Sequence, residues 1–583
     1  MLLLTIVFYC AKAQSEFKTI PGKPNVIIIL SDDQGYGDFS IHGNPILKTP
    51  ALDKMYTSGV RFSNFHVAPL CTPTRGQLLT GLDAMKNKAS TVLTGRGLMR
   101  RNVVTMPELF LENGYRTGIF GKWHLGDTYP DRPMDRGFEK NVWTKGWGLL
   151  SESEFDNDYY KTRFLDGFDT VYSNQYCTDL WFDQAMKWID RLNKAQPFFA
   201  YIALNAPHGP FHAPAADAKR YRSLVGDDPT ASFLGMISSI DRNMERLDQW
   251  LNETGLKENT IVIFMNDNGG TGGVKVYNAG MRGEKTSLYD GGHRAACFMN
   301  GPQALIGTPR TIGHASTIQD LFPTLIDLCG LKSKNKHSFD GNSLKPLLQD
   351  TEHNFRDRMF VVQYTGNDKP EKYYSCVVWD SWRLVGENEL YDISKDSGQV
   401  NNVSSNYPEV FQKMKNFYEK WWQELEPSVF EIVPVVVGNK KEDPVILTSN
   451  SWVGAGGINT QWAVANATGN PRGGVWHIEV EKKGRYSVEL SRWPFHLQRT
   501  LSSAGPATAI GGTKLREGKA LPIEYGCISI NKEQPLIVKA DKNASSINAN
   551  MKLKKGTNVL QAWFRDGNDK DLCGSYYLRI KKL

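Results

Sequence analysis

Along the first ~350 residues, unbroken apolar runs alternate with stretches of helical periodicity. Val26-Ile27-Ile28-Ile29-Leu30 is an uninterrupted aliphatic run, the pattern of a strand covered on both faces. Tyr115 to Phe120, Pro197 to Leu204 and Thr260 to Met265 repeat it. Between them the chain predicts helices. Thr105-Met106-Pro107-Glu108 is a capping box with an early proline, and Gly114 closes that helix. Residues 230–254 and 317–328 also carry helical spacing. Strand–helix alternation of this kind predicts an α/β fold, a large, mostly parallel sheet flanked by helices.

The pattern then changes twice. Ser375 to Val385 and Glu389 to Ile393 predict a small antiparallel sheet. A helix follows, with Val410, Phe411, Met414, Phe417, Tyr418, Trp421 and Leu425 on one face. Beyond residue 431 strict alternation takes over: Trp476, Ile478 and Val480, then Tyr486, Val488 and Leu490 after the Lys483-Gly484 turn, and Tyr576, Leu578 and Ile580 near the end. This predicts an all-β sandwich, whose Trp residues either fill its core or bind sugar rings. The expected organisation is a signal peptide at 1–13, an α/β domain at 20–350, a small antiparallel-sheet subdomain at 351–430, and an accessory β module at 431–583.

Length and composition agree with this division. At 583 residues, 40% hydrophobic and 22% charged, the chain calls for two or three ordinary globular domains. The apolar Leu2–Tyr9 and the small-x-small triplet Ala11-Lys12-Ala13 predict a cleaved export signal and a periplasmic or secreted product, although the usual basic start is missing. Eight or so apolar residues are too few to span a bilayer, and Tyr9 is bulky for a lipidation site at Cys10. The formal charge of +7 favours anionic partners weakly, and no Lys/Arg run argues for nucleic acid. Of the eight cysteines, six remain once Cys10 and Cys71 are set aside, with no CxxC zinc spacing. Export permits disulfides, and Cys527 with Cys573 is a candidate pair because both lie in the last module.

Chemistry-bearing residues follow each buried run. Asp32 and Asp33 come after the first, Lys122 and His124 after the second, His208 after the third, and Asp267 and Asn268 after the fourth. In open α/β sheets ligands sit beyond the carboxyl ends of the strands, so these groups can converge at one edge. Carboxylates and an amide are the oxygen donors a hard cation selects, and clustered carboxylates repel without one. Many ligands, with room for a substrate, favour calcium over magnesium.

Cys71-Thr72-Pro73-Thr74-Arg75 reads as a helix start, with Thr72 as the N-cap and Pro73 as the first helical residue. Gly81 ends the short helix. Cys71 would then stand just before an anion-favouring helix N-terminus, where the natural reading is a thiolate nucleophile. A soft thiolate matches a hard cation poorly, and the residues alone leave that conflict open.

The stretch Cys71-x-Pro73-x-Arg75 with Thr80-Gly81 resembles the signature of the type I sulfatases, formylglycine-dependent members of the alkaline phosphatase superfamily. Pro24-Asn25-Val26 leading to Asp32-Asp33-Gln34-Gly35-Tyr36-Gly37-Asp38 is similar to that family's first strand and metal loop. Gly121-Lys122-Trp123-His124-Leu125-Gly126, Ala206-Pro207-His208, Asn266-Asp267-Asn268-Gly269 and Arg282-Gly283-x-Lys285 match it in order. The resemblance covers about residues 22–425 and not the last module. It implies oxidation of Cys71 to formylglycine by a maturation enzyme, which replaces the soft nucleophile by an oxygen. It also implies one calcium held by Asp32, Asp33, Asp267 and Asn268 with the modified Cys71. Arg75 would hold the hydrate, Lys122 and Lys285 the sulfate oxygens. His208 would protonate the departing alcohol and His124 would act as base, both titrating near pH 7.

A further substrate-facing side chain of that family has no clear match and is expected within residues 143–160. His212 and His293 are weaker candidates. The implied activity is hydrolysis of a sulfate ester on a small molecule or glycan. Its rivals are a phosphate or phosphonate ester hydrolase on the same fold and a sugar-binding protein with an inactive catalytic domain.

Overall fold

The computed structural model describes residues 22–583, apart from 152–156, 194, 350–354, 356, 367–368, 455–457, 506–508, 511–512 and 515–516. The expected signal peptide therefore lies outside the described residues. Among those described, no helix is long and apolar enough to cross a membrane.

The centre is a ten-stranded sheet in the order 310–312, 60–62, 297–300, 260–266, 25–31, 198–203, 116–122, 140–144, 162–166, 169–173. Its middle five strands, Thr260–Asn266, Asn25–Ser31, Phe198–Ala203, Arg116–Lys122 and Lys140–Thr144, pair in parallel. Toward both edges the pairing includes antiparallel steps, so the sheet is mixed: Cys297–Asn300 lies antiparallel on one side, Thr162–Asp166 and Asp169–Ser173 on the other. Periodicity revealed the buried middle; the outer antiparallel strands Thr162–Asp166 and Asp169–Ser173 carry no comparable apolar run.

The run at 26–30 is apolar throughout because its alternate side chains enter two different layers. Val26, Ile28 and Leu30 pack with Leu78, Leu79 and Trp123 on one face. Ile27 and Ile29 pack with Trp181, Met236 and Ile240 on the other. All five are fully buried, and each contributes roughly 1.5–3 kcal/mol by leaving water.

The expected capping box forms, with the Thr105 backbone N–H donating to the Glu108 carboxylate at 2.7 Å. Strands Phe360–Gln363, Ser375–Trp379, Trp382–Val385 and Glu389–Asp392 make a four-stranded antiparallel sheet, and the helix Pro408–Leu425 covers it with Met414, Tyr418, Trp421 and Trp422.

Beyond residue 434 two antiparallel-rich sheets enclose one core. Trp452, Trp476 and Trp493 are buried in it, while Trp462 stands 53% exposed. The candidate pair Cys527 and Cys573 is not bonded. Cys527 lies opposite Trp563 and Cys573 opposite Phe564, on the two strands flanking Gly556–Arg565. Two strand spacings, roughly 9–10 Å, exceed the reach of a disulfide.

Candidate active site

Strand register brings the predicted residues together. Ser31 is level with Asn266, Leu30 with Ala203, and Ala203 with Gly121, so the carboxyl ends of four parallel strands finish at one edge. The chain leaving each strand is tied to its neighbours: Asp32 N–H donates to the Ala206 carbonyl and Asp267 N–H to that of Ser31, both at 3.0 Å. Asp33 turns the chain with φ of +68°, and its N–H donates to Asp267 Oδ1 at 3.1 Å.

Cys71 is the first residue of a helix, Cys71–Thr80, every member of which is buried. The helix thus begins two residues earlier than the cap signals suggested. Leu70 occupies the cap position in extended geometry without a side-chain bond. The Thr72 hydroxyl donates instead to the His124 carbonyl at 3.2 Å. Gly81 ends the helix as expected, at φ of +65°.

The Cys71 Sγ lies 3.3 Å from Asp32 Oδ1, 3.2 Å from Asn268 Oδ1, 4.0 Å from Asp33 Oδ1 and 3.6 Å from Lys285 Nζ. Burial, together with Asp267 and Asp32, pushes its thiol well above the ordinary range. A thiolate is therefore disfavoured in this surrounding, against the simplest reading of a cysteine at a helix start.

Three cations interleave with the three carboxylates. Arg75, fully buried, donates to Asp267 Oδ2 at 2.9 Å and to the Lys122 carbonyl at 3.1 Å. Lys122 donates to Asp32 Oδ2 at 2.6 Å and Lys285 to Asp33 Oδ1 at 2.5 Å. Burial alone would raise the Asp33 carboxyl, but Lys285 and His208 outweigh it and hold it far below its ordinary value. Burial and the neighbouring Asp32 raise the Asp267 carboxyl.

The donor set fits a hard divalent cation. Ligand atoms of Asp32, Asp33, Cys71 and Asp267 lie within 4.8 Å of one another, and the Asn268 carbonyl faces the same sulfur. The protein charges in the pocket balance three against three, so a divalent ion would leave it net positive, suited to an anionic substrate.

His124, at φ of +59°, is 6% exposed, and neither ring nitrogen has a hydrogen-bond partner among the described residues. His208 keeps its Nδ1 2.7 Å from the Gly209 carbonyl, which fixes the proton there in the neutral ring. Its Nε2 then points toward Asp33 Oδ2, 3.7 Å away.

Both rings were expected to titrate near pH 7; both are depressed. Burial lowers His208 to about 4, assisted by Lys285 and Lys122. Burial, then Lys122 and Arg75, holds His124 well below its ordinary value. Sequence could not report this, because the cause is desolvation beside a cation cluster.

His212 stands outside this group, its Nδ1 4.0 Å from Asp158 Oδ2. His293 belongs to a second buried cluster. Its Nδ1 is 2.9 Å from His66 Nδ1, and Asp290 in that cluster is bonded to Arg383 at 2.7 Å. Arg383 already supplies the cation there.

Two contributors escaped the motif reading. The Tyr159 hydroxyl donates to the Asn205 and His208 carbonyls at 2.8 and 2.6 Å, shaping the His208 loop. Trp147 packs its ring 4.9 Å from that of His208. Both fall within 143–160, of which 152–156 lie outside the described residues.

Comparison with known proteins agrees with the geometry. The family model described as Sulfatase matches residues 24–331. Arylsulfatase J of Mus musculus is 31% identical over 322 residues, covering 52% of this chain and 52% of its own length. N-acetylgalactosamine-6-sulfatase of Canis lupus familiaris is 30% identical over 361 residues, covering 56% of this chain and 66% of its own. The chain thus spans between about half and two thirds of these curated relatives. Among solved structures, that of Ps i-CgsB in complex with k-i-k-neocarrahexaose superposes with a TM-score of 0.63 at 28% identity, covering 68% of this chain and 92% of that one.

Proposed function

Because the chain belongs to the sulfatase family, we propose that it hydrolyses sulfate esters carried by sugars, with Cys71 as formylglycine and calcium as its metal. The observation that carries this reading is the placement of Cys71. Its Sγ, standing in for the nucleophilic oxygen, lies among Asp32, Asp33 and Asn268 with Lys285 beside it. A buried thiol held in its protonated form amid carboxylates is a poor nucleophile. An oxygen at the same position suits both the cation and the chemistry.

Calcium, held by Asp32, Asp33, Asp267 and Asn268, would lower the pKa of a hydroxyl at position 71 and offset charge on the sulfate. The protein groups supply the rest. Arg75 braces Asp267 and fixes the geometry beside position 71. Lys122 and Lys285 present ammonium groups where charge collects on the sulfate oxygens.

His208 delivers a proton from Nε2 to the departing sugar oxygen. The anionic ester, arriving beside it, raises the ring toward the protonated form and offsets the lysines. His124, kept neutral and without a hydrogen-bond partner among the described residues, accepts a proton from the second hydroxyl at position 71.

Sugar substrates are supported by relatives named for N-acetylgalactosamine 6-sulfate and by the neighbour crystallised with neocarrahexaose. The apolar N-terminal run with Ala11-Lys12-Ala13 supports export to a periplasm or beyond, and an aldehyde at position 71 requires a maturation enzyme.

Mass spectrometry of the tryptic peptide containing Cys71, from natively expressed active protein, tests the reading, with sulfate and phosphate esters assayed side by side. We expect the aldehyde mass and a strong preference for sulfate. Full activity with an unmodified thiol would defeat the mechanism, as would turnover retained by a folded Cys71→Ala variant.

A further inference from the structure

We propose that Trp147 forms the platform on which the leaving sugar ring rests, and that the C-terminal β module holds this platform in place. The inference rests on the sulfate-ester reading above and assigns the module a part in the catalytic pocket.

Trp147 lies between two fixed glycines. Gly146 N–H donates to both oxygens of Asp127, at 3.0 and 2.8 Å. Gly148 has φ of +120° and sits so close to Asn205 that a Cβ there would fall 2.5 Å from its amide nitrogen. Leu149 and Leu150 are buried in the core beneath. The loop is therefore held against the segment that carries His208. The indole stays half-buried, its ring tilted 39° to the His208 ring at 4.9 Å.

A general acid works within hydrogen-bond reach of the oxygen it protonates. A sugar attached to that oxygen must extend past His208, and the neighbouring indole is a rigid apolar surface of the right kind for the C–H face of a pyranose ring.

The far side of the indole is fixed by the module. Trp147 Nε1–H donates to the Asn459 carbonyl at 2.6 Å, across 312 positions of sequence. Four residues later Ser151 forms a β-bridge with Thr460, which also caps the helix Gln461–Ala465. A cavity of about 60 Å³ is lined by His124, Gly126 and Gly146 from the α/β domain and by Leu447, Ser451 and His477 from the module. The module thus touches the loop whose outer surface borders the site. A merely tethered sugar-binding domain needs none of these contacts.

The test uses full-length, aldehyde-bearing protein and three variants: Trp147→Ala, Trp147→Phe and Trp462→Ala. KM and kcat are measured with galactose 6-sulfate and N-acetylgalactosamine 6-sulfate, whichever the parent turns over, and the inhibition constant of inorganic sulfate is measured alongside. Loss of stacking in Trp147→Ala raises KM roughly 5–10-fold and leaves sulfate inhibition unchanged, because sulfate touches only the cation clamp. Trp147→Phe keeps a ring but loses the N–H tether and falls between the two. Trp462→Ala matches the parent.

An unchanged KM in Trp147→Ala overturns the platform. A parental value in Trp147→Phe overturns the tether. Weaker sulfate inhibition in Trp147→Ala, parallel to the KM change, reduces the residue to a structural role and overturns the proposal. A parent inactive on both sugars but active on 4-nitrocatechol sulfate refutes the sugar reading itself and not the loop geometry; the same variants are then compared on the aryl ester.

Discussion

Lys285→Ala is the most direct probe of the cation clamp. The ammonium touches Asp33 Oδ1 at 2.5 Å and lies 3.6 Å from Cys71 Sγ, the proposed position of the attacking oxygen. A unit charge at that range, in the effective dielectric of a partly buried site, acts on neighbouring charge with about 4–5 kcal/mol. Measured losses of single transition-state donors are smaller, about 3–4 kcal/mol, which corresponds to roughly 10²–10³ in kcat/KM.

The side chain is 17% exposed, so its removal opens less of the interior than removal of the fully buried Lys122. The expected result is a fall of roughly two to three orders of magnitude in kcat/KM, with partial recovery in Lys285→Arg. The assay is initial-rate kinetics on 4-nitrocatechol sulfate and a sugar sulfate, with the aldehyde content and melting temperature of each variant measured in parallel. A drop of less than about 5-fold, in folded and fully converted protein, would refute the assignment of Lys285 to the developing charge.

His208→Ala should cost roughly 10²–10⁴ on a sugar sulfate and much less on an activated aryl sulfate, whose leaving oxygen needs no proton; equal losses on both would remove His208 from the acid role. Asp38 supplies a test of stability. Burial pushes its carboxyl up to about 7, against an ordinary value of 3.8, with only the Gly35 N–H to offset it. The protonated form therefore favours the folded state below pH 3.8, and that contribution disappears as pH rises through about 7. The total is roughly 4 kcal/mol at most. Asp38→Asn cannot ionise, so its melting temperature relative to the parent should rise between pH 5 and pH 8; parallel profiles would refute the cause given.

The central strands were legible because both faces of the sheet are covered, which leaves an unbroken apolar run such as 26–30. The convergence of the candidate site residues was legible through their position just past those runs and through the motifs they form. Other features had no local signature. Thr72 looked like a cap, yet Leu70 holds that position because the Thr72 hydroxyl finds the carbonyl of His124. The antiparallel pairing of Cys297–Asn300 depends on a neighbour more than thirty residues earlier. The depression of His124 and His208 arises from desolvation beside cations drawn from distant loops. Trp147 acquires its setting from Asn459, in a module that the motifs do not reach.

The burial of the helix Cys71–Thr80 bears on when the proposed modification of Cys71 could occur. Cys71 is 2% exposed, and the turn that follows it is enclosed on every side. An enzyme that modifies the thiol, as proposed, has to reach its sulfur. The finished fold leaves that sulfur almost no exposed surface. If Cys71 is oxidised as proposed, conversion before this helix is buried would be the simplest order of events.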